Sequence, residues 1–385
     1  MELVIKKFGG TSVSNTERIK RVARIVADSH EKSVVVVSAM SSFTNQLVSY
    51  TNDIGPVTSR EGLAEYDAVI STGEQITIGL VSLALMSVGL KSRSYLGWQV
   101  PIKTTDDFSQ AKILEIDTEK IMSDLENGLI PIIAGFQGVS NGRVTTLGRG
   151  GSDTTAVAVA AALKAKRCDI YTDVDGIFTS DPRVVPKARK INRIDYRSAL
   201  EMASCGATVI HPRAVEIGMM AKVPIRILNT FSHDAGTDIV DEMEKTSING
   251  IAVKSDLVMI IINKIRDIDL ILKDLIEVGV VIDSVSQGNL SLEDGDIRYD
   301  YTITTNNEYT NRCVNVIGTD ITTRSNINKI SVIGLGVKGL LGEILSITGP
   351  VIALQVLETQ VSFMIDQIHS DKIVRDLHTE LMLGL

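Results

Sequence analysis

Aromatic residues are scarce in this chain: Phe, Trp and Tyr make up 4% of its 385 residues, and there is one Trp. The hydrophobic residues, 44% of the chain, are therefore mainly aliphatic. Aliphatic side chains suit the buried strands of a parallel sheet, whereas single-stranded nucleic acids are usually bound on stacked aromatic rings. The composition favours an α/β protein and disfavours that kind of nucleic-acid binding.

Cysteine is also rare, and an excess of positive charge is absent. Cys168, Cys205 and Cys313 lie far apart without a Cys-x-x-Cys pair, which favours buried thiols in a reducing compartment over a metal or redox site. The formal net charge is -8, whereas nucleic-acid backbones bind surfaces rich in Lys and Arg. We therefore expect no nucleic-acid partner, and an anionic substrate would be held by a few local cations.

Long hydrophobic runs are missing as well. No uninterrupted apolar stretch reaches the roughly 18 residues of a membrane-spanning helix, and the N-terminus lacks a signal-peptide pattern. The sequence predicts a cytoplasmic protein that is not embedded in a membrane.

Short aliphatic runs alternate with longer amphipathic stretches as far as residue 231. This alternation is typical of βα units around a largely parallel sheet, so an α/β fold is predicted. The predicted strands are 3–7, 34–37, 130–134, 168–172 and 225–228, and the predicted helices are 15–30, 62–89, 118–127, 154–164 and 196–205.

A polar, acidic stretch at 232–249 marks the predicted end of this first domain. Beyond it, two strand-then-helix patterns suggest a pair of small α+β modules. The patterns are 257–262 with 265–277 and 329–334 with 340–347. The predicted domains are 1–240, a linker at 241–256, and modules at 257–320 and 321–385, the second of them degenerate.

A glycine pair follows the first predicted strand, in the segment Lys7-Phe8-Gly9-Gly10. Glycines at the end of a strand let backbone N–H groups approach phosphate oxygens, and a helix that begins just afterwards adds partial positive charge. Lys7 can then reach a phosphoryl group in transfer. The alternative is a tight turn beside a solvated lysine, and the segment is not a Walker A motif.

A second glycine-rich loop, 147–153, leads into an alanine-rich helix. Its backbone donors favour an anion, and Arg149 can hold a carboxylate through two parallel hydrogen bonds. Asp153 either holds a lysine ammonium group in place or only caps the helix. Two such loops in one α/β domain favour a functional role over capping alone.

Three further segments place polar side chains at the ends of strands and helices. Thr172 and Asp173 follow a predicted strand, where ligands of open α/β sheets bind, although the segment is also rich in ordinary turn formers. Glu74 opens an apolar helix, where it either complements the helix dipole or pairs with a substrate ammonium group. Ser38 and Thr44 belong to a hydroxyl-rich loop after another strand.

These segments, taken in order, resemble the motif series of the aspartate kinases. The resemblance is carried by KFGGTSV, VVVVSAM, STGEQ, GFQGV, TTLGRGGSDTTA and YTDVDGIFTSDPR. It covers residues 1–239 closely and implies an amino-acid kinase fold, an α/β/α sandwich around a largely parallel sheet. Uridylate, acetylglutamate and carbamate kinases share that fold but carry different loops at these positions.

The resemblance implies a role for each loop. Lys7 and Asp153 would be catalytic, with Lys7 stabilising the transferring phosphoryl group. Aspartate would bind to Thr44, Glu74, Arg149 and Ser152. ATP would bind to Lys7, Phe8, Gly9, Gly10, Ser38, Thr172, Asp173, Phe178 and Arg183. Phe178 stands where relatives often have tyrosine.

The implied reaction converts MgATP and L-aspartate to ADP and 4-phospho-L-aspartate, the first step of the pathway to lysine, threonine and methionine. The substrate carboxylate is the nucleophile, so no enzyme nucleophile is required. Mg²⁺ would be held mainly by the nucleotide and water, so no metal site made of protein ligands is expected.

The tail, 257–385, resembles the paired ACT modules that follow many aspartate kinases and bind amino-acid effectors. Two positions depart from the pattern: 263–267 lacks the usual Pro-Gly, and 336–342 is shortened. The resemblance implies lysine or threonine as effector and a homo-oligomer formed through the tail. The best candidate contacts are Asp283, Gln287 and Asn289.

Three other interpretations of the sequence are less favoured. Residues 334–339 spell GxGxxG, but the chain ends at residue 385, too soon for a two-half dinucleotide domain. An amino-acid kinase acting on another acid, such as glutamate, remains an alternative. A catalytically dead sensor is disfavoured, because Lys7, Arg149 and Asp153 are all present.

Overall fold

The computed structural model describes residues 2–55, 57, 59–241, 248–265, 268–293, 296–318 and 321–382. It describes their side chains except those of 264–265, 289–293 and 296–298. The chain divides into two compact units. The first comprises Met1–Thr179, Arg189–Ser204 and Thr208–Lys245, and the second comprises Ser180–Ala188, Cys205–Ala207 and Thr246–Leu385.

The first unit is built on two sheets. Its strands are β1 (Leu3–Phe8), β2 (Lys32–Val37), β3 (Ser92–Tyr95), β4 (Ile102–Thr104), β5 (Ile113–Ile116), β6 (Ile130–Ala134), β7 (Gln137–Ser140), β8 (Arg143–Thr146), β9 (Arg167–Thr172), β10 (Arg193–Asp195), β11 (Ile225–Asn229) and β12 (Thr237–Val240). The main sheet has the order β10-β12-β11-β9-β1-β2-β6-β3, and a smaller one has the order β5-β4-β7-β8. Neighbouring strands of the main sheet are parallel except for β11 and β12.

The helices of the first unit cover this sheet. They are α1 (Thr16–Ala27), α2 (Phe43–Ile54), α3 (Arg60–Ile70), α4 (Thr72–Ser87), α5 (Glu119–Glu126), α6 (Gly151–Ala162), α7 (Tyr196–Ser204) and α8 (Pro212–Ala221). In α1 the buried residues Ile19, Val22, Ala23 and Val26 form one stripe, and Val34–Val37 of β2 are fully buried. The predicted α/β fold is confirmed, with strands near all five predicted positions.

The predicted helix at 62–89 is two helices that meet at Ser71. A Cβ on Gly73, just after that point, would lie 2.7 Å from the Ala39 Cβ. The start of α4 is therefore packed against the loop that follows β2.

The second unit contains one six-stranded antiparallel sheet. Its elements are β13 (Gly250–Ile265), α9 (Asp269–Glu277), β14 (Ile282–Glu293), β15 (Asp296–Asn306), α10 (Thr310–Ile317), β16 (Ile321–Ile333), α11 (Leu341–Thr348), β17 (Ala353–Val356), β18 (Gln360–Asp366) and α12 (Gln367–Met382). The strand order is β14-β15-β13-β16-β18-β17. Pairing of β13 with β16, from Gly250 opposite Ile333 to Ile262 opposite Ile321, joins the two predicted ACT-like modules into this sheet.

Two predicted boundaries are wrong. Residues 250–256 belong to β13 and not to a linker, and 242–247 lie outside the described residues. The first domain is also not continuous over 1–240, because Ser180–Ala188 and Cys205–Ala207 belong to the second unit. There, Val185 packs into the core with Phe363, a tertiary contact that local patterns do not reveal.

The stretch Arg60–Ser87 is long and apolar enough, by length and composition, to cross a membrane. It comprises α3 and α4, and 56% of its most apolar window is buried inside the protein. A core helix of a folded domain passes the same test, so the stretch gives little support to a membrane span.

A buried charge cluster lies beneath the centre of the main sheet. Lys6 and Asp169 face each other in the β1–β9 register, and the Lys6 Nζ lies 3.8 Å from carboxylate oxygens of both Asp169 and Glu31. Arg167 forms ion pairs with the same two acids, each with an N–O distance of 2.8 Å. Burial lowers the pKa of Lys6, and the two acids oppose that shift.

We expect Asp169→Ala to reduce the free energy of unfolding by about 3 kcal/mol, because it leaves the Lys6 and Arg167 charges with one partner acid, the partly exposed Glu31. Urea unfolding can be followed by fluorescence of Trp98, the single Trp, which lies in the first unit. The control is Asp238→Ala, whose pair with Arg226 is about a third exposed on both sides. That loss should be below about 1 kcal/mol, and equal losses would contradict the prediction.

Candidate active site

The carboxyl ends of β1, β2, β6 and β9 lie along the same edge of the main sheet, because these strands are parallel neighbours. The loop after each strand therefore meets the others there. The backbone shows this directly: Gly9 N–H donates to the Tyr171 carbonyl at 3.1 Å, and Ser38 N–H donates to the Phe8 carbonyl at 3.1 Å.

A cavity of about 310 Å³ opens at this edge. All six residues predicted to be catalytic or to bind aspartate line it: Lys7, Thr44, Glu74, Arg149, Ser152 and Asp153. Two residues predicted for ATP, Gly10 and Ser38, line it as well. The structure therefore brings these residues, which come from four separate sequence motifs, into one site.

Lys7 forms an ion pair at the base of the cavity. Its Nζ lies 2.6 Å from Asp153 Oδ1, and the side chains are 10% and 13% exposed. The pair is close, although its angles are not those of a hydrogen bond. Asp153 is in the first turn of α6, whose N-cap residue is Gly150. Of the two roles left open for Asp153, contact with the lysine is the one the structure shows.

Glu74 is the buried acid of the site, 3% exposed. Its Oε1 accepts a hydrogen bond from the Ala39 N–H at 2.9 Å, whereas Oε2 has no hydrogen-bond partner among the described residues. Burial raises the pKa of Glu74 to about 7, against the opposing effects of the Ala39 N–H and the Lys7 charge. The second oxygen is thus buried without a hydrogen bond from the described residues.

Glycines allow the loops to approach one another. A Cβ on Gly10 would lie 2.9 Å from the Ala39 carbonyl, and one on Gly135 would lie 2.7 Å from the Ser152 side chain. Because the Gly9 N–H is already bonded to Tyr171, the remaining donors of this loop begin with Gly10 and Thr11. They open a short 3₁₀ helix, Gly10–Val13, where the first N–H groups lack partners within the helix.

No group of three or more His, Cys, Asp or Glu side chains that could hold a metal ion occurs within the described ranges. The acids of the cavity, Glu74 and Asp153, are engaged by Ala39 and Lys7 respectively.

Comparison with known proteins agrees with this site. A model of the amino acid kinase family matches residues 2–229. The aspartokinase of Pseudomonas aeruginosa is 39% identical over 417 residues of alignment, which cover 100% of this chain and 98% of that protein.

The chain belongs to the aspartokinases of the amino acid kinase family.

The aspartokinase of Rickettsia felis is 49% identical over 255 residues, 65% of this chain and 64% of that protein. The alignment thus spans about two thirds of the Rickettsia relative. Aspartokinase III of Escherichia coli, solved in complex with aspartate and ADP, has the same fold, with a TM-score of 0.81, 24% identity and coverage of 99% and 100% of the two chains. Its complex with lysine and aspartate gives a TM-score of 0.73. The resemblance drawn from the motifs is confirmed.

Phe8, which is predicted to contact ATP, does not line the cavity. Phe8 is fully buried and stacks on Tyr171, with ring centroids 4.6 Å apart. The side chain packs into the core because β1 is a central strand. The predicted contact of Phe8 with ATP stays a prediction.

Five further residues predicted to contact ATP do not line the cavity either: Gly9, Thr172, Asp173, Phe178 and Arg183. Thr172 ends β9, beside the end of β1, and its Oγ1 donates to Asp173 at 3.2 Å. Phe178 is half-buried, and its backbone forms an isolated antiparallel β-bridge with that of Lys190. Arg183 belongs to the second unit, where it is 89% exposed and paired with Asp181 at 2.7 Å. Their contacts with the nucleotide stay predictions.

The predicted effector residues lie on β14. Asp283 is 6% exposed, and its two oxygens contact Lys254 at 2.6 Å and Lys329 at 2.9 Å. This arrangement favours a role in holding strands together. Gln287 is exposed, and the side chain of Asn289 lies outside the described residues.

Sequence reasoning missed three residues at the site. Asn45 and Phe136 line the cavity, and the His211 ring packs against Gly150, where an added Cβ would lie 2.1 Å from the ring carbon Cγ. Phe136 belongs to the motif GFQGV, so its position in that motif was the available signal. His211 has no partner at a spacing that suggests catalysis, so its packing against Gly150 depends on the fold.

Glu74→Gln should stabilise the protein at high pH. The folded-state pKa of Glu74 lies above its unfolded value, so folding is favoured by the protonated form and that contribution is lost as pH rises through about 7. Gln keeps an acceptor for Ala39 and carries no charge. We expect a gain of up to about 3 kcal/mol in the free energy of unfolding at pH 8 and a much smaller gain at pH 5.

The measurement is urea unfolding at the two pH values. Glu61→Gln, an exposed acid in the first turn of α3, serves as the control and should show no such gain. An equal effect of Glu74→Gln at pH 5 and pH 8 would show that its burial does not act through its charge.

Proposed function

We propose that this protein transfers the γ-phosphoryl group of ATP to the side-chain carboxylate of L-aspartate. The observation that carries the proposal is the cavity, in which Lys7 and Arg149 supply positive charge and Glu74 supplies a buried acid. An amino acid with a second carboxylate, held beside a phosphoryl donor, presents the complementary charges. Membership in the aspartokinases supports the same substrates.

Aspartate would be held at both ends of its amino-acid moiety. Arg149 can bind the α-carboxylate through two parallel hydrogen bonds. Glu74 Oε2, which has no hydrogen-bond partner among the described residues, can accept from the ammonium group. The hydroxyl groups of Thr44 and Ser152, which line the same cavity, complete the contacts. The side-chain carboxylate would then face Lys7.

The transfer needs no enzyme nucleophile. An oxygen of the substrate carboxylate attacks the γ-phosphorus, a P–O bond forms, and the bond to the bridging oxygen breaks, so that ADP leaves with that electron pair. The substrate carboxylate is already ionised at neutral pH, so no base is needed. The protein contributes position and charge neutralisation. Lys7, held by Asp153, would contact the transferring phosphoryl oxygens.

The nucleotide would lie along the loops that end β1 and β9. Backbone N–H groups at Gly10 and Thr11 open a short helix there, and such groups bind phosphates. The residues of the first unit proposed to border the nucleotide are Gly9, Gly10, Ser38, Thr172, Asp173 and Phe178.

ATP is proposed to bind as its Mg²⁺ complex. The acids of the cavity are engaged with Lys7 and Ala39, which fits an ion held mainly by phosphate oxygens and water. Bound in that way, Mg²⁺ would neutralise charge on the phosphates.

The second unit is proposed to bind an amino-acid effector, lysine or threonine, and to join copies of the chain into a homo-oligomer. The support is its ACT-like fold, together with the complex of Escherichia coli aspartokinase III with lysine. The protein would act in the cytoplasm, at the start of the route to lysine, threonine and methionine. Titration of each amino acid, with rate and binding heat as readouts, tests the effector.

The proposed function is tested by incubating the protein with MgATP and L-aspartate, with hydroxylamine to trap an acyl phosphate as its hydroxamate. Hydroxamate with aspartate and none with glutamate would support the proposal. Hydroxamate with glutamate only would make glutamate the substrate in place of aspartate. No hydroxamate with either acid would reject the proposed kinase activity.

We expect Lys7→Met to lower kcat by at least ~10²-fold, the usual loss when an electrostatic stabiliser of a transition state is removed. Steady-state ADP release is the measurement, and the control is Lys20→Met, a half-exposed lysine on α1. Near-normal turnover of folded Lys7→Met would remove Lys7 from the mechanism.

Arg149→Ala should raise the KM for aspartate by ~10-fold or more and leave the KM for ATP nearly unchanged, since a lost charged hydrogen bond costs about 1.5–3 kcal/mol. Arg143→Ala in β8, whose side chain is half-exposed and paired with Glu65, is the control. An unchanged KM for aspartate would reject the assigned role of Arg149.

A further inference from the structure

The loop between β8 and α6 holds Arg149 between two glycines in the left-handed region. Gly148 has a φ of 74° and Gly150 a φ of 70°. Such a loop has large conformational freedom in isolation, yet Arg149 can bind a carboxylate through two hydrogen bonds only if its backbone is fixed. The surroundings of the loop must supply that order.

The start of the loop is fixed by Asp67 on α3. This fully buried acid accepts from the Thr146 N–H at 2.7 Å and from the Thr146 hydroxyl at 2.6 Å. Its carboxylate also accepts from the Ser109 N–H at 2.9 Å. These bonds hold the end of β8 but do not reach the residues on either side of Arg149.

Arg213 on α8 holds the next residue. Its Nη1 donates to the Leu147 carbonyl at 2.6 Å, and its Nη2 donates to the Ala111 carbonyl at 2.9 Å. The Ala111 N–H in turn donates to the Thr146 carbonyl at 2.9 Å. One half-buried guanidinium group therefore clamps two chain segments just before Gly148.

His211 holds the far side of the loop. Its ring lies against Gly150, so close that an added Cβ would be 2.1 Å from Cγ. Its Nδ1 accepts from the Arg213 N–H at 3.3 Å and caps α8. Burial lowers the pKa of His211, with Asp153 opposing the shift, which suits a neutral ring that accepts at Nδ1.

We propose that His211 and Arg213 are positioning residues for substrate binding: they fix the backbone on both sides of Arg149 and so set where its guanidinium group meets aspartate. The role of aspartate rests on the function proposed above. Neither residue lines the cavity, and both act through the loop.

The first test compares Arg213→Met, Arg213→Lys and the control Arg197→Met, an exposed arginine on α7. Arg213→Met should raise the KM for aspartate by ~10-fold and change the KM for ATP less than about twofold, as expected for misplaced groups. Arg213→Lys should recover part of the loss, because an ammonium group can still reach one carbonyl. Arg197→Met should match the wild type.

The second test adds a Cβ at Gly150, with Gly142→Ala as the matched control. Gly142 has a φ of 76° and open space around it, so both variants carry the same backbone strain and only Gly150→Ala meets the His211 ring. Gly150→Ala should raise the KM for aspartate, and Gly142→Ala should not.

Hydrogen–deuterium exchange of the peptide that covers 146–155 separates this proposal from the proposed function. Exchange should be faster in Arg213→Met than in wild type, with or without kinase activity. Faster exchange in a chain without aspartate kinase activity would support the clamp and reject the function. Unchanged exchange and an unchanged KM in an active enzyme would overturn the clamp, and so would equal losses for aspartate and ATP, which indicate a general structural defect.

Discussion

The ion pair between Lys7 and Asp153 is the contact on which the candidate site depends. It joins the end of the central strand β1 to the first turn of α6, so it sets the loop that carries Arg149 beside the loop that carries Gly10. An ammonium group that is 10% exposed would be costly to bury without a partner. Asp153 supplies that partner at the wall of the cavity, which both residues line.

Glu74 represents the opposite arrangement. One of its oxygens has a backbone donor and the other has none among the described residues, so the free site contains a buried acid that is only partly satisfied. Strain or desolvation of this kind is typical of functional sites, where the ligand supplies the missing interaction. The free protein is less stable because the buried Glu74 lacks this second interaction. A cationic group that supplied the interaction would recover the lost stability.

Much of this site could be predicted because its motifs are local: each loop follows a strand whose aliphatic pattern is plain, and parallel strands bring such loops to one edge. The direction in which the Phe8 side chain points could not be predicted, because a strand buried on both sides has no alternation of polar and apolar residues. The membership of Arg183 and Val185 in the second unit, like the extension of β13 back to Gly250, depends on tertiary contacts that no local pattern records.

The adjacent residues Lys6 and Lys7 show how far a motif alone can be interpreted. Both are buried, 3% and 8% exposed, and the pleat of β1 directs them to opposite faces. Lys6 forms an ion pair with Asp169, directly opposite on the neighbouring strand, and is buried there. Lys7 meets Asp153 on a helix that borders the cavity. The position of the partner acid, and not the lysine itself, therefore distinguishes a lysine that is buried in the structure from one that lines the cavity.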